Sequence, residues 1–188
     1  MPAVRQTLRR LLSVALLIVA CPGSARADGP EAVGEYQRKA QLICSFIRWV
    51  RWPEKKFAAP DSPIVIGIYG TDSISETLTE MIRDRRFEGR PVFIKRITVR
   101  EELRKCHILF VSNSERDRLD FVLREVRREN VLTVGESRDF ISRGGVVDFV
   151  NTGGSWGYQF SKGNADREDL KINTFILSYA VPAPRPAK

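Results

Sequence analysis

The sequence predicts a single α/β domain, built as a three-layer sandwich: a mostly parallel sheet with an antiparallel C-terminal hairpin and helices on both faces. Three observations support this prediction. Short apolar runs alternate with amphipathic helical stretches through the middle of the chain. Two strand-like runs, at 146–150 and 156–160, flank a glycine-containing turn and indicate a hairpin. A length of 188 residues with 43% hydrophobic residues suits one domain with a substantial core.

Residues 1–27 have the pattern of a secretory signal peptide. Arginines precede an apolar run at 11–20, which is too short to span a bilayer. Ala25-Arg26-Ala27 then places small residues at both recognition positions of a signal peptidase site. We therefore expect cleavage after Ala27 and export to the periplasm. Two alternatives stay open: a lipoprotein anchored at Cys21, and a retained membrane anchor.

The mature chain divides into a short linker at 28–34, an α/β domain at 35–180 and a disordered tail at 181–188. The formal net charge of +8 includes four arginines of the signal peptide, so the mature chain carries +4. The remaining charges of both signs are interspersed, as expected for solvated helix faces. Nucleic acid is not found in the periplasm, and the sequence has no aromatic-basic RNA motif, so nucleic-acid binding is not expected.

The first element of the domain is an amphipathic helix. Its apolar residues recur at three- and four-residue steps, a spacing that leaves Lys39 mostly outside. Pro53 ends this stretch because a proline disfavours α geometry at the residue before it. Trp49, Trp52 and Phe57 crowd the helix end and the loop after it. These aromatic residues either cap the core or form an exposed apolar patch for a partner.

The middle of the chain supplies the strands of the sheet and the helices that join them. Continuous apolar runs are typical of strands that are buried on both faces. The predicted strands lie at 64–69, 92–97, 108–111 and 131–134, with 92–97 nearer the edge because it alternates more in polarity. The predicted helices lie at 74–82, 100–105 and 114–126, the last with a capping box at 114–117. One or two further helices are expected after Asn164, with the inward residues Leu170, Ile172, Phe175, Ile176 and Tyr179.

His107, the only histidine of the chain, follows Cys106 at the start of the predicted strand 108–111. A cysteine beside a histidine raises the hypothesis of a catalytic site. Adjacent residues of a strand point to opposite faces, however, so these two side chains do not readily form a thiolate–imidazolium pair. His107 would have to pair across space with Cys44 or a serine. The sequence also has no CxxC or HExxH metal motif and no phosphate loop, so no catalytic residue, metal or cofactor is predicted.

These motifs, in this order, resemble the YfiR family of small periplasmic proteins. The matching segments are 35–46 with the terminal Trp52-Pro53, 64–70 with 89–92, 106–112, and 131–135 followed by Phe140 and Gly144-Gly145-Val146. They span residues 35–180, nearly the whole mature chain. Within them, the residues that mark the family are Cys106, His107, Gly144 and Gly145.

The resemblance implies a regulator without enzymatic activity. Such a protein would bind the periplasmic sensor part of an inner-membrane diguanylate cyclase, restrain it and so lower cyclic di-GMP signalling. An outer-membrane lipoprotein as a second partner, and a homodimer, belong to the same expectation. The candidate partner contacts are Trp49, Trp52, Pro53 and Phe57. The alternative function is a periplasmic module that binds a small ligand or an envelope component for another sensor kinase or transport system.

The chain departs from the family in its cysteines. Family members often carry a cysteine in the first strand that can pair with the cysteine of the Cys-His motif, and this chain has Gly67 there. The disulfide that stays open is Cys44–Cys106, since an oxidising compartment permits one bond between the two mature cysteines. His107, as the one group with an ordinary pKa near neutrality, is expected to tune a contact or a pH response.

Overall fold

The computed structural model describes residues 30–181. Within this range the helices are α1 Pro30–Trp49, α2 Ile74–Ile82, α3 Arg100–Leu103, α4 Leu119–Glu125, α5 Lys162–Arg167 and α6 Phe175–Ser178. The strands are β1 Val50–Arg51, β2 Ile64–Tyr69, β3 Arg86–Phe87, β4 Arg90–Ile97, β5 Ile108–Val111, β6 Leu132–Gly135, β7 Val147–Thr152, β8 Ser155–Phe160 and β9 Lys171–Ile172. The predicted signal peptide and residues 182–188 of the predicted tail lie outside the described residues.

Seven of the strands in residues 30–181 form one sheet, in the order β3-β4-β2-β5-β6-β7-β8. Strands β4, β2, β5, β6 and β7 run parallel, and β8 pairs antiparallel with β7 as the predicted hairpin. After β2 the chain builds β4 on one side of it and then β5 on the other. This reversal creates a topological switch point at the carboxyl ends of β2 and β5. The predicted α/β fold class is confirmed.

Strand β5 shows why the strands read as continuous apolar runs. Ile108 and Phe110 pack on the face covered by α1 and α2, and we call this cluster the α1-side core. Leu109 and Val111 pack on the opposite face with α3 and α4, in the α4-side core. All four side chains are fully buried. Burying an apolar side chain of this size contributes roughly 1.5–3 kcal/mol, so a strand between two helical layers favours apolar residues on both of its faces.

Helix α1 is held to the C-terminal hairpin by aromatic contacts. The Phe46 ring meets Tyr158 edge-on, with 5.0 Å between centroids, and stacks at 6.4 Å with Phe149. The buried Tyr158 hydroxyl donates to the Ile176 carbonyl at 2.7 Å, which satisfies its polar end. This arrangement lets one tyrosine join the hairpin, α1 and α6 without leaving a buried hydroxyl unpaired.

The N-terminal boundary and one helix cap differ from the predictions. Helix α1 begins at Pro30, so much of the predicted linker at 28–34 is helical. The predicted capping box at 114–117 is wrong, because this segment belongs to a 3-10 helix whose cap is the preceding Ser112. The Ser112 hydroxyl accepts the Ser114 N–H at 3.3 Å, and α4 begins only after this turn.

The C-terminal region contains a strand pair that the sequence did not predict. Strands β1 and β9 pair antiparallel, with Val50 opposite Ile172, and this short ribbon separates α5 from α6. The prediction that Leu170 and Ile176 point inward is confirmed. It is wrong for Phe175 and Tyr179, which are 56% and 65% exposed. The ribbon fixes the direction in which α6 leaves the sheet, and periodicity alone contains no information on that direction.

The last described residue belongs to the domain rather than to the tail predicted at 181–188. The Val181 N–H donates to the Tyr158 carbonyl on the outer side of β8 at 2.8 Å. Helix α6 is preceded by Ile172-Asn173. No helix in residues 30–181 is long and apolar enough to cross a membrane.

Candidate functional site

Cys106 and His107 lie at the amino end of β5, and their side chains go to different places. Cys106 is fully buried in the α4-side core, where its Sγ donates to the Glu102 carbonyl at 3.4 Å. The His107 ring stacks on Phe57, with centroids 4.6 Å apart, and meets Trp52 edge-on at 5.7 Å. As strand geometry predicts, the two side chains do not form a thiolate–imidazolium pair.

The protonation states of this pair suit a structural role. Burial raises the pKa of the Cys106 thiol to about 12, so it is protonated at neutral pH. Burial, together with the positive charges of Lys56 and Arg90, lowers the pKa of His107 to about 3. The prediction of a pH response near neutrality is therefore wrong. The Nδ1 atom of His107 accepts the Val65 N–H at 3.1 Å, so the neutral ring fastens β5 to β2.

The aromatic residues after α1 mostly cap the core. Trp52 is only 8% exposed, and its Nε1–H donates to the His107 carbonyl at 3.0 Å. Phe57 is half-buried, and the Arg90 guanidinium lies 3.8 Å from its ring centroid. Pro53 between them is also half-buried. Of the two alternatives for these aromatic residues, core capping holds for Trp52, because its side chain is in the interior.

Trp49 belongs to a different surface. Its half-buried ring stacks on Tyr179 with 5.8 Å between centroids and an interplanar angle of 1°. Phe175 and Leu177 are 56% and 46% exposed, and Tyr179 is 65% exposed. We call these four residues, Trp49, Phe175, Leu177 and Tyr179, the α6 patch. Sequence analysis found only Trp49 and placed Phe175 and Tyr179 inward, because a helical stripe does not show which side the protein covers.

The two cysteines of the domain lie on opposite faces of the sheet. Both are free thiols: Cys44 packs against the α1-side core, while Cys106 is in the α4-side core. The Cys44–Cys106 disulfide is therefore not present, and the sheet that lies between the two cores explains why. Gly67 on β2 faces Cys106 directly, since a Cβ built on Gly67 would lie well under 3.0 Å from the Cys106 Sγ.

Gly144 and Gly145 shape the loop before β7. Gly144 has a φ of +112°, which side chains rarely adopt. A Cβ on Gly145 would overlap the ring of Phe140, which is fully buried against it. These glycines, which the sequence marked only by resemblance, thus allow Phe140 to fill the α4-side core beneath β6 and β7.

A buried lysine was missed by the sequence analysis. Lys39, predicted to be mostly outside, is only 1% exposed. Its Nζ pairs with the carboxylates of Glu35 and Glu136 and lies 3.9 Å from the ring centroid of Trp156. Burial alone would lower the pKa of Lys39, but the two carboxylates outweigh it and the pKa is raised. The lysine is therefore charged, and it binds α1 to the loop after β6.

The same ion pair fills the switch point of the sheet. The second oxygen of Glu136 accepts the Asn113 N–H at 3.1 Å, and the Ser112 hydroxyl donates to the Thr71 carbonyl at 2.9 Å. Burial and the charge of Glu136 also raise the pKa of Asp72, beside them, to about 6. Open α/β sheets usually bind ligands at this position, but here the protein's own side chains occupy it. The signal in the sequence was the polar residues that directly follow each buried strand.

Metal binding finds no support in residues 30–181, where no group of three histidine, cysteine or carboxylate side chains could hold an ion. The exposed feature with an unusual composition is instead the α6 patch, whose tryptophan, phenylalanine and tyrosine are the residue types enriched at protein interfaces. The geometry therefore favours an interaction surface over a reaction centre.

Comparison with known proteins identifies the family of the chain. The sequence model of the YfiR/HmsC-like family matches residues 36–181. A solved structure of a conserved domain protein from Vibrio cholerae O1 biovar eltor str. N16961 aligns with a TM-score of 0.49 and 10% identity, over 77% of this chain and 58% of that one. A domain described as the ABC domain in complex with L-Trp from Streptococcus pneumonia aligns with a TM-score of 0.46 and 14% identity, over 77% and 60%. No curated protein matches the sequence.

The chain thus spans about three-fifths of the length of these two structures. The family match, in contrast, includes every strand of the seven-stranded sheet and the α6 patch. Because it extends over residues 36–181, well beyond half of the sequence, the chain belongs to the YfiR/HmsC-like family, whose members are periplasmic regulatory proteins that act through protein partners.

Proposed function

We propose that this protein binds the periplasmic sensor part of an inner-membrane diguanylate cyclase and holds it inactive, so that cyclic di-GMP signalling falls. The observation that supports the proposal is the family match over residues 36–181. The protein would reach its partner after export, with cleavage after Ala27 as the expected processing step. An outer-membrane lipoprotein that competes for the regulator would complete the system.

The chemistry of the Cys106-His107 pair supports a regulator rather than an enzyme. A thiol with a pKa of about 12 is almost entirely protonated at neutral pH, so Cys106 is a poor nucleophile. A histidine with a pKa of about 3, whose Nδ1 accepts a backbone N–H, has no free basic nitrogen to activate another group. Burial and these hydrogen bonds give both residues a structural role.

Differential binding is a sufficient mechanism for such a regulator. Suppose that the regulator binds the inactive sensor more tightly than the active one. When the sensor is saturated with regulator, its equilibrium constant between the two states changes by the ratio of the two affinities. A hundredfold preference corresponds to about 2.8 kcal/mol, because each factor of ten is about 1.4 kcal/mol. An interface with one or two buried aromatic anchors supplies a difference of this size.

The α6 patch is the surface that we propose for this contact. Stacking of Trp49 on Tyr179 holds both rings in place before binding, which reduces the side-chain entropy lost on association. Phe175 is the first residue of α6, the helix that Tyr179 directly follows, and it is 56% exposed. Of the candidates from the sequence, Trp49 remains in this proposal. Trp52 is buried and is left out of this contact, while Pro53 and Phe57, which are half-buried beside it, stay predictions from the sequence.

Deletion and complementation test the proposal. Loss of the gene should raise cellular cyclic di-GMP and surface adhesion, and the wild-type gene should restore both. A gene with Phe175→Ala and Tyr179→Ala should fail to restore them, while the protein is still exported and folded. Phe93→Ala is the matched control. Phe93 is also 57% exposed, but it lies on β4, near the edge of the sheet that is opposite to β8. Unchanged cyclic di-GMP after deletion, in a strain with an active partner cyclase, would refute the function.

A pull-down separates the function from the surface. The mature chain, used as bait on solubilised inner membranes, should retain a membrane diguanylate cyclase, and the double variant should retain about tenfold less or lower. Equal retention by both would disprove the role of the α6 patch but leave the regulator itself in place. The N-terminal residue of the exported protein, read by mass spectrometry, would show Asp28 for the expected cleavage and a lipidated Cys21 for the alternative.

A further inference from the structure

A cavity of about 360 Å³ opens between α4, the loop before β7 and α5. Its volume falls in the range of roughly 300–1,000 Å³ that is typical of small-molecule sites. The cavity contains none of the residues of the α6 patch and none of the Cys106-His107 region. Four arginines surround it, which are Arg124, Arg127, Arg143 and Arg167.

The arginines differ in how far they are already used. The Nε of Arg143 donates to Asp120 at 2.8 Å, and one nitrogen of Arg167 donates to the Asn164 side chain at 2.8 Å. Within residues 34–181, the guanidinium groups of Arg124 and Arg127 make no hydrogen bond or ion pair. Both lie on the exposed side of the α4 region, where their five donors each are available to an anion.

The floor of the cavity is polar and buried. Asn164 and Glu168 are each 8% exposed, and Thr133 is 3% exposed. Asn164 donates to the Gly145 carbonyl at 2.6 Å, so it fixes the loop that forms one wall. One oxygen of Glu168 accepts the Arg128 N–H at 2.9 Å, and the carboxylate faces the backbone N–H groups of the turn at 128–131. Asn164 and Glu168 are therefore used to fix the walls of the cavity, and its free polar groups are the guanidinium groups of Arg124 and Arg127.

The charges around the cavity define the kind of ligand. The four arginines face two carboxylates, Asp120 and Glu168, which leaves a net charge of +2. A phosphomonoester carries nearly two negative charges at neutral pH and presents three oxygens to forked guanidinium donors. A monocarboxylate would leave one of these positive charges without a counterpart. A neutral sugar would leave both.

We infer that this cavity binds a small phosphomonoester. The phosphate lies between the free guanidinium groups of Arg124 and Arg127. The site is separate from the proposed partner surface. Its test therefore needs neither the cyclase nor the α6 patch.

Isothermal titration calorimetry of the mature chain with glycerol 3-phosphate tests the inference directly. We expect saturable binding of one molecule per chain at low ionic strength, weaker binding in added salt, and no binding of glycerol, which lacks the phosphate. The variant Arg124→Gln with Arg127→Gln should lose at least about tenfold in affinity. Arg83→Gln is the matched control, because Arg83 is an exposed arginine at the end of α2 and does not line this cavity.

Three results would overturn the inference. The first is no saturable binding of glycerol 3-phosphate at millimolar concentration. The second is equal affinity in the double variant and the wild type, with urea unfolding curves that show both to be folded. The third is binding of citrate but not of glycerol 3-phosphate, which would assign a polycarboxylate to the cavity instead.

Discussion

Replacing Gly67 with cysteine should create a disulfide to Cys106. Gly67 lies in the middle of β2, and its missing Cβ would point straight at the Cys106 Sγ in the α4-side core. The two sulfurs would therefore start within bonding reach, on strands β2 and β5 that already pair. Gly67→Cys would therefore supply a bonding partner for Cys106, which is a free thiol in this structure.

The size of the effect follows from two opposing contributions. The bond would close a loop of about 40 residues, and the loss of chain entropy in the unfolded state corresponds to about 4 kcal/mol of stabilisation. Before the bond forms, the new side chain is crowded, because its Cβ would lie 2.9 Å from Ile97 Cγ1 and 3.2 Å from Leu109 Cδ1. Overpacking of this kind typically costs about 1–3 kcal/mol. The oxidised variant should thus be slightly more stable than the wild type, and the reduced variant less stable.

Urea unfolding with and without reductant measures both contributions. The free energy of unfolding of Gly67→Cys should differ by about 4 kcal/mol between the two conditions, and denatured, unreduced protein should show only the Cys44 thiol. The wild type should show no effect of reductant, because its two cysteines are on opposite faces of the sheet. Gly67→Ser is the control for crowding without a bond. If the oxidised variant keeps all its thiols titratable, the facing geometry of Gly67 and Cys106 is wrong.

Three further substitutions test the buried polar groups. Burial, with the negative charges of Glu136 and Asp139, raises the pKa of Asp148 to about 7. The ionised form of Asp148 therefore destabilises the folded state. Asp148→Asn should therefore stabilise the protein by roughly 2–4 kcal/mol at about pH 8 and have little effect below about pH 4, as measured by urea unfolding, while the exposed control Asp117→Asn should be neutral at both. Lys39→Met should lower the free energy of unfolding by about 3–5 kcal/mol. Adding Glu136→Gln should recover part of this loss in a double-mutant cycle, and strictly additive changes in the free energy of unfolding would refute the ion pair. Trp52→Phe should lower the free energy of unfolding by about 0.5–1.5 kcal/mol, because it removes one of two donors to the buried His107 carbonyl, which keeps the Leu132 N–H; a neutral result in the same unfolding assay would contradict the bond.

The strands of the sheet could be predicted because their signal is local. Ile64–Tyr69 and Ile108–Val111 are apolar on both faces, and the ends of these runs coincide with the ends of β2 and β5. The hairpin of β7 and β8 was predicted from its turn. Strands β1 and β9 could not be predicted in this way, since two residues give no periodicity and their pairing joins positions far apart in the chain.

The polar features could not be predicted, because each depends on a distant partner. Periodicity assigns a lysine to the outside of a helix, and only Glu136, 97 residues further along, makes burial of Lys39 favourable. The position of Trp52 was left open between core and surface for the same reason. Its indole needed the carbonyl of His107, which the sequence cannot place beside it. Arg124 and Arg127 likewise line a cavity only because α5 packs beside them and closes it, and the sequence does not show this packing.

The buried position of Lys39 has a consequence for how the domain opens. Its ammonium group touches α1, the loop after β6 and, through Trp156, the hairpin strand β8. Partial detachment of α1 would separate Lys39 from the largely buried Glu136 before water can reach either charge, so it loses the pairing without gaining the hydration. Helix α1 and the hairpin should therefore exchange their amide hydrogens as one cooperative unit, because the ion pair connects them.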